Sequence, residues 1–330
     1  MTNKPLIITD GRIEQIDEVD ALPQYSHLKT GWNVDAIDNI VSVTINESTR
    51  TVTVTPIGDD ATYWIAGIQY TFNTPQDVTF TNNSGMWYIA FNGATLQAIQ
   101  TEWTFNDTLA TVLSLYWNST DNELILYAPE LHSWDTSDRM HDYFHETRGT
   151  QWAWGLGLEI VSGNTTVNLA QGELHDEDIE AIVTDDAGSG FWDQILTPLT
   201  APVMYQSGAT GEWKRTLASS NTAYISSNIP QINQFTDNAW TLVPVGVAQH
   251  FAYWVVGSTS SPPVYLIPGQ ADDGTLADAR ANNTWSDLSF GSLPTLEHKV
   301  LARIIMQRSA DSPFYTIEEY TDYRSFADEP

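Results

Sequence analysis

Two histidines stand four residues apart in "RMHDYFHETRG", His141 and His145. On a helix that spacing puts both imidazoles on one face. Zinc-hydrolase helices offer two nitrogens to a metal in this way, with a glutamate beside the first histidine as general base. Here that neighbour is Asp142, whose side chain is shorter. A third ligand would come from His132, His175 or an acid, and nothing in the spacing selects one. The segment is therefore read as a structural helix with a polar face. No tightly bound zinc is expected, and His141 and His145 remain weak metal candidates.

A second group lies in "GELHDEDIEAIVTDD", where Glu173, Asp176, Glu177, Asp178 and Glu180 put five carboxylates into eight residues. Calcium takes several hard oxygen ligands, but the alternating ligands and sixth-position glycine of an EF-hand loop are missing. The stretch is read as a solvated strand or turn, with Asp176 and Asp178 as weak candidates. Glycoside hydrolysis needs two carboxyl groups roughly 5 to 9.5 Å apart across a groove. With 42 acids in the chain, sequence can always supply such a pair. There is no G-x-S-x-G elbow, P-loop or dinucleotide fingerprint. The expectation is a chain that is not an enzyme, with no catalytic residues, no cofactor-binding residues and no cofactor.

The elements that would position these residues are mostly strands. "VSVTINESTRTVTVTPI" alternates around the polar turn "NESTR" and reads as a hairpin, with Val52, Val54 and Ile57 facing a core. Further short runs, among them "TYWIAGIQYTF", "MWYIAFNG", "TVLSLYWN" and "ELILYAP", continue to residue 129. Trp87, Trp103 and Trp117 lie within such patterns, where core packing is the common use. Residues 133–149 form the best helix candidate, with Ser133 or Ser137 as N-cap, Gly149 as its close, and Met140, Phe144 and Thr147 as a narrow apolar stripe. Residues 184–200, containing Gly and Pro, are the most plausible boundary. "QHFAYWVVGS" and "PPVYLIPG" look like buried strands, "TLADARANN" like a short helix, and "HKVLARIIMQ" and "FYTIEEYTDYR" like closing strands. The fold class expected is mainly β. It comprises an N-terminal arm (1–40), a small β domain (41–130), a helix-plus-β connection (131–199) and a C-terminal β domain (200–330). The two β regions are expected to be sandwich- or barrel-like.

Composition narrows the partners. Forty-two Asp and Glu against 13 Lys and Arg give a formal net charge of −29. A nucleic-acid binder needs a basic footprint, and docking on anionic membranes needs one too. Neither partner is expected. The absence of cysteine excludes disulfides and thiolate metal sites. The opening "MTNKPLIITDGRIEQ" lacks the shape of a signal peptide, and no apolar run approaches the roughly 18 residues of a membrane span.

"TDGRIEQI", "YWIAGIQYTF…GMWYIAFN", "RMHDYFHETRGTQWAWGLGL" and "FAYWVVGS…PPVYLIPGQADDGTLADARANN…FGSLPTLEHKVLARIIMQ" together resemble tail-fibre-like appendage proteins of tailed bacteriophages. The resemblance covers most of the chain, and its motifs are packing motifs. It implies a structural virion component that assembles with itself, commonly as a homotrimer, and meets other virion proteins through its N-terminal arm. A host-surface glycan is a further expected partner. A lectin-like module, a glycan depolymerase and a capsid-associated head fibre or decoration protein are the alternatives.

Overall fold

The computed structural model describes residues 6–9, 12–15, 29–33, 40–103, 108–161, 163, 165–186, 190–293, 298–312 and 314–325. The chain is mainly β, as its Thr-, Tyr- and Trp-rich alternation requires. No helix among the described residues is long and apolar enough to cross a membrane. Most of the expected arm, residues 10–11, 16–28 and 34–39 included, lies outside the described residues. Leu6–Thr9 and Arg12–Gln15 pair as an antiparallel hairpin. Gly31–Trp32 pairs with Tyr63 and Trp64, and Trp32 is fully buried. The first domain's core therefore begins inside the segment expected to be an arm.

The first β region contains three sheets. Val41–Asn46 pairs with Thr51–Pro56, which pairs with Gln76–Thr79. Val52 and Val54 point into the core, but Ile57 is exposed. The strand ends at Pro56, and residue 57 is out of phase with 52 and 54. "TYWIAGIQYTF" makes two strands, Ala61–Ile65 and Ile68–Phe72, around Ala66 and Gly67. Both turn residues have positive φ, the geometry of a tight hairpin turn. The third sheet has the order Thr95–Ile99, Gly85–Asn92, Ala110–Asn118, Glu123–Pro129. Trp87, Trp103 and Trp117 are all buried. Tyr63 and Phe91 stack at 4.5 Å, with Trp32 5.2 Å from Tyr63.

Two long strands are buried at every position. In Ala110–Asn118, Leu113, Leu115 and Trp117 enter the first core, while Tyr116 faces a second core shared with Met204, Trp213 and Trp254. In His250–Gly257, Phe251, Tyr253 and Val255 enter one core, and Trp254 and Val256 the other. This second strand is central to the sheet Val264–Asp273, His250–Gly257, Lys299–Arg308, Tyr315–Asp322. A strand so placed must be apolar at nearly every position, as "HFAYWVVG" is. The connecting strands Gln151–Gly155, Gly172–Asp176 and Ile179–Asp185 form one antiparallel run. The expected boundary at 199/200 does not separate cores. Leu196, Leu199, Ala201 and Val203 lie in one cluster with Leu174, Val183, Phe251 and Ile304.

Two helices complete the described fold, α1 (Asp138–Thr147) and α2 (Leu276–Asn282). Thr275 caps α2 by accepting the Asp278 N–H at 3.1 Å. At its other end the buried Arg303 guanidinium donates to the Arg280 and Asn283 carbonyls at 3.0 and 2.9 Å. These bonds satisfy acceptors that the last turn leaves open.

His298 sits fully buried, edge-on to Tyr265, and burial pushes its pKa down to about 3. It stays neutral in the folded chain while the unfolded chain takes up a proton near pH 6.5. Its stabilising contribution is thus complete above pH 6.5 and is lost as pH falls from 6.5 towards 3. The limiting slope is about 1.4 kcal/mol per pH unit. Urea unfolding between pH 7 and 5 should show a smaller loss of stability in His298→Phe than in the wild type. An equal loss in both would remove His298 from the acid response.

Candidate functional site

Helix α1 enters the fold with its histidine face rather than its apolar one. Met140 and Tyr143 are exposed at 45% and 53%, Thr147 is exposed, and Phe144 is half-buried. His141 is buried, and the His145 side chain is 19% exposed. The expected apolar stripe therefore faces outward, because the surface beneath the helix is polar. Ser137 holds the N-cap position but makes no side-chain cap bond. Gly149, with φ of 52°, closes the helix by donating its N–H to the Phe144 carbonyl at 3.2 Å.

The surface beneath α1 is built from two segments. One is residues 130–133, following the strand Glu123–Pro129. Gly31 lets the first β region reach it, since a Cβ there would lie 2.5 Å from the His132 carbonyl. Trp32 N–H donates to the His132 carbonyl at 2.8 Å, and Trp134 N–H to the Trp32 carbonyl at 2.9 Å. The other segment is the turn Glu177–Asp178, which joins Gly172–Asp176 to Ile179–Asp185 with Asp176 opposite Ile179. Glu177 has φ of 48°. Glycine is the default residue at such a position, and a side chain there costs about 1–2 kcal/mol. The turn carries a carboxylate in spite of that cost.

These pieces meet around His132. Its Nδ1 lies 2.6 Å from Asp178 Oδ1, and its Nε2 lies 3.1 Å from Glu130 Oε2 and 3.4 Å from Glu177 Oε2. Glu130 Oε1 accepts from the Ser114 hydroxyl at 2.8 Å, and Asp178 Oδ2 accepts the Ser133 N–H at 2.6 Å. His141 Nε2 lies 3.3 Å from the Ser133 carbonyl, and its Nδ1 3.9 Å from Asp178 Oδ1. The His132 and His141 rings are 4.8 Å apart. His145 Nδ1 is 3.5 Å from Glu177 Oε1. Asp176, 1% exposed, accepts from the Thr259 hydroxyl at 3.4 Å.

The electrostatics follow from burial against charge. Burial is the largest influence on His132 and disfavours its cation. Hydrogen bonds to Asp178 and Glu130, with the charges of Asp178 and Glu177, outweigh it and hold the imidazole well above 6.5. Burial likewise opposes charge on His145, but Glu177, Glu130 and Asp176 raise its pKa to about 9. His141 goes the other way, lowered by burial and by His132 beside it. For Asp178 burial favours the neutral acid, yet the bonds and charges of His132, His141 and Ser133 hold its pKa below the usual value.

The structure thus brings together what the sequence kept apart. His141 and Asp178, from separate weak motifs, join in one group with His132, and the charge of Asp176 acts on His145. The run around 173–180 is not a wholly solvated turn, since Asp176 and the Glu177 side chain are buried while Glu180 is exposed. Sequence reasoning did not select His132 and gave Glu130 no role. The available signal was local, a "PELHS" in which Glu130 and His132 stand two apart after an apolar strand. His175, the other candidate third ligand, pairs instead with Glu173 at 2.5 Å.

Chemically the arrangement can fix three chain segments to one another, exchange protons, or bind a cation. No family model, no curated protein and no solved structure matches the chain.

Glu130→Gln disturbs the buried contacts of Glu130 with His132 and Ser114, and a buried hydrogen-bonding group left unsatisfied costs about 1–3 kcal/mol. Glu146→Gln, on the exposed side of α1, should stay within about 0.5 kcal/mol of the wild type. Urea midpoints of the two variants measure the difference, and equal values would mean that the cluster contributes nothing to folding.

Proposed function

We propose that the chain is a non-enzymatic structural subunit of a tailed-phage virion, part of a tail fibre or similar appendage, serving assembly and host-surface attachment. One observation carries the reading. The segments that resemble appendage proteins are those that build the frame of this molecule. "YWIAGIQYTF" and "GMWYIAFN" supply Tyr63, Ile65, Trp87, Ile89 and Phe91 to the first core. "FAYWVVGS" and "VLARIIMQ" form the two middle strands of the C-terminal sheet. "RMHDYFHETRG" is the helix held between the regions by the His132 group.

Self-association is part of the proposal. Met140 and Tyr143 on α1, and Leu217, Phe235 and Val247 further along the chain, leave large apolar side chains in solvent. A second and third copy would cover such surface, and a trimer would present weak contacts in multiple copies, raising their effective concentration. Carboxylate repulsion over an acidic surface is screened in salt, which suits a virion protein assembled in the host cytoplasm and then exposed to salty water.

Light scattering of the purified chain should give about three times 36.8 kDa. Met140→Lys combined with Tyr143→Lys should shift that mass towards one copy. Mass spectrometry of purified particles should find the chain, and removal of residues 1–28 should abolish its incorporation while leaving the thermal transition nearly unchanged. A wild-type mass near 36.8 kDa would exclude the trimer, and absence from particles would exclude the virion assignment. Release of product from host polysaccharide would move the chain to the depolymerase alternative.

A further inference from the structure

We propose that His132, His141 and Asp178 form a binding site for one first-row divalent metal ion of the zinc class. Their donor atoms all lie within 4.8 Å of one another. His132 Nδ1 and His141 Nδ1 approach the same oxygen, Asp178 Oδ1, at 2.6 and 3.9 Å. Tetrahedral bonds of about 2.0–2.1 Å place neighbouring donors about 3.3 Å apart. The first distance must open and the second close by less than about 1 Å each, and the two imidazole donors, up to 4.8 Å apart, must approach by about 1.5 Å, which side-chain rotation can supply.

The surroundings are those of a ligand set held from behind. A metal-bound histidine donates its other ring N–H to a carboxylate or a carbonyl, and this fixes which nitrogen is left for the ion. His132 Nε2 meets Glu130 Oε2 at 3.1 Å, and His141 Nε2 meets the Ser133 carbonyl at 3.3 Å. Both leave Nδ1 on the Asp178 side. The carboxylate is held in the same manner, with Oδ2 taking the Ser133 N–H at 2.6 Å. Glu130 is itself fixed by Ser114 at 2.8 Å. The three ligands come from three segments, and each has its own anchor.

Charge and access agree with this geometry. The Glu130 and Glu177 side chains are about 5% and 3% exposed, and Asp176 is buried. With Asp178 they set four carboxyl groups around three imidazoles. A dication supplies two charges at the centre while displacing protons from its ligands. Asp178, whose side chain is 24% exposed, provides the way in. Two imidazoles with one carboxylate suit zinc, cobalt or iron, whereas calcium takes six to eight oxygens. The bound ion would act as a staple between the end of the first β region, α1 and the Glu177–Asp178 turn.

The test is equilibrium dialysis of the chelator-treated, full-length chain against Zn²⁺, followed by elemental analysis, with Co²⁺ as a spectroscopic probe. One zinc per chain is expected, with proton release on binding and a visible Co²⁺ spectrum of tetrahedral type. His141→Ala and Asp178→Asn should lose the ion. Glu130→Gln should weaken binding about 10–100-fold. Glu180→Gln, in the same acidic run but exposed, should bind as the wild type does. If His141→Ala does not fold, Asp178→Asn decides, since Asp178 is the most exposed of the three ligands. Absence of stoichiometric zinc from the wild-type chain overturns the proposal and leaves a proton-bridged cluster, in keeping with the sequence expectation of no tight zinc. Zinc retained in both ligand variants, or Ca²⁺ bound in preference to Zn²⁺, overturns it equally.

Discussion

Charge taken out of water has to be matched where it lies, and this constraint organises the centre of the molecule. Four carboxylates and three imidazoles meet where the first β region, α1 and the connecting strands converge. An unmatched ion there would cost several kcal/mol. The orientation of α1 follows from that cost: its histidines turn inward, and Met140 and Tyr143 are left in solvent. The turn at Glu177 follows as well, keeping a side chain where the backbone favours glycine. Even Gly31, far off in sequence, belongs to the same solution, because it admits Trp32 to the backbone that carries His132.

Around this polar centre the apolar packing falls into clusters that meet along shared strands. Ala110–Asn118 and His250–Gly257 each divide two cores, and no solvent face interrupts either strand. Polar atoms inside these walls are bonded across long sequence separations. Trp32 Nε1 donates to the Thr111 carbonyl at 2.7 Å, and Asn118 Nδ2 to the Trp213 carbonyl at 2.8 Å. The Tyr253 hydroxyl donates to the Gln231 carbonyl at 2.6 Å. Such bonds fix the register between regions, while the aromatic area supplies most of the attraction.

Much of the fold was legible because alternation is a local signal. The hairpin around "NESTR", the buried run "HFAYWVVG" and the short helix in "TLADARANN" all appear as read. What failed was parity and facing. Ile57 looked like a core residue until the strand ended one position earlier, and the α1 stripe looked inward until its histidines found acids. The site was half legible. His141, His145, Asp176 and Asp178 were all singled out, but in two motifs more than thirty residues apart. The pairing of Gly172–Asp176 with Gln151–Gly155, and the clamp on residues 132–134, help to bring those motifs together. That information is topological, and periodicity within a single segment does not carry it.

The shared walls also bear on heredity. Tyr116 and Ile125 belong to the first β region, yet they complete a core whose other members include Trp213, Trp254 and Trp285. A recombination that replaced everything after residue 199 with a foreign β domain would leave those two side chains against the wrong shapes. The pieces of this chain are therefore not interchangeable parts.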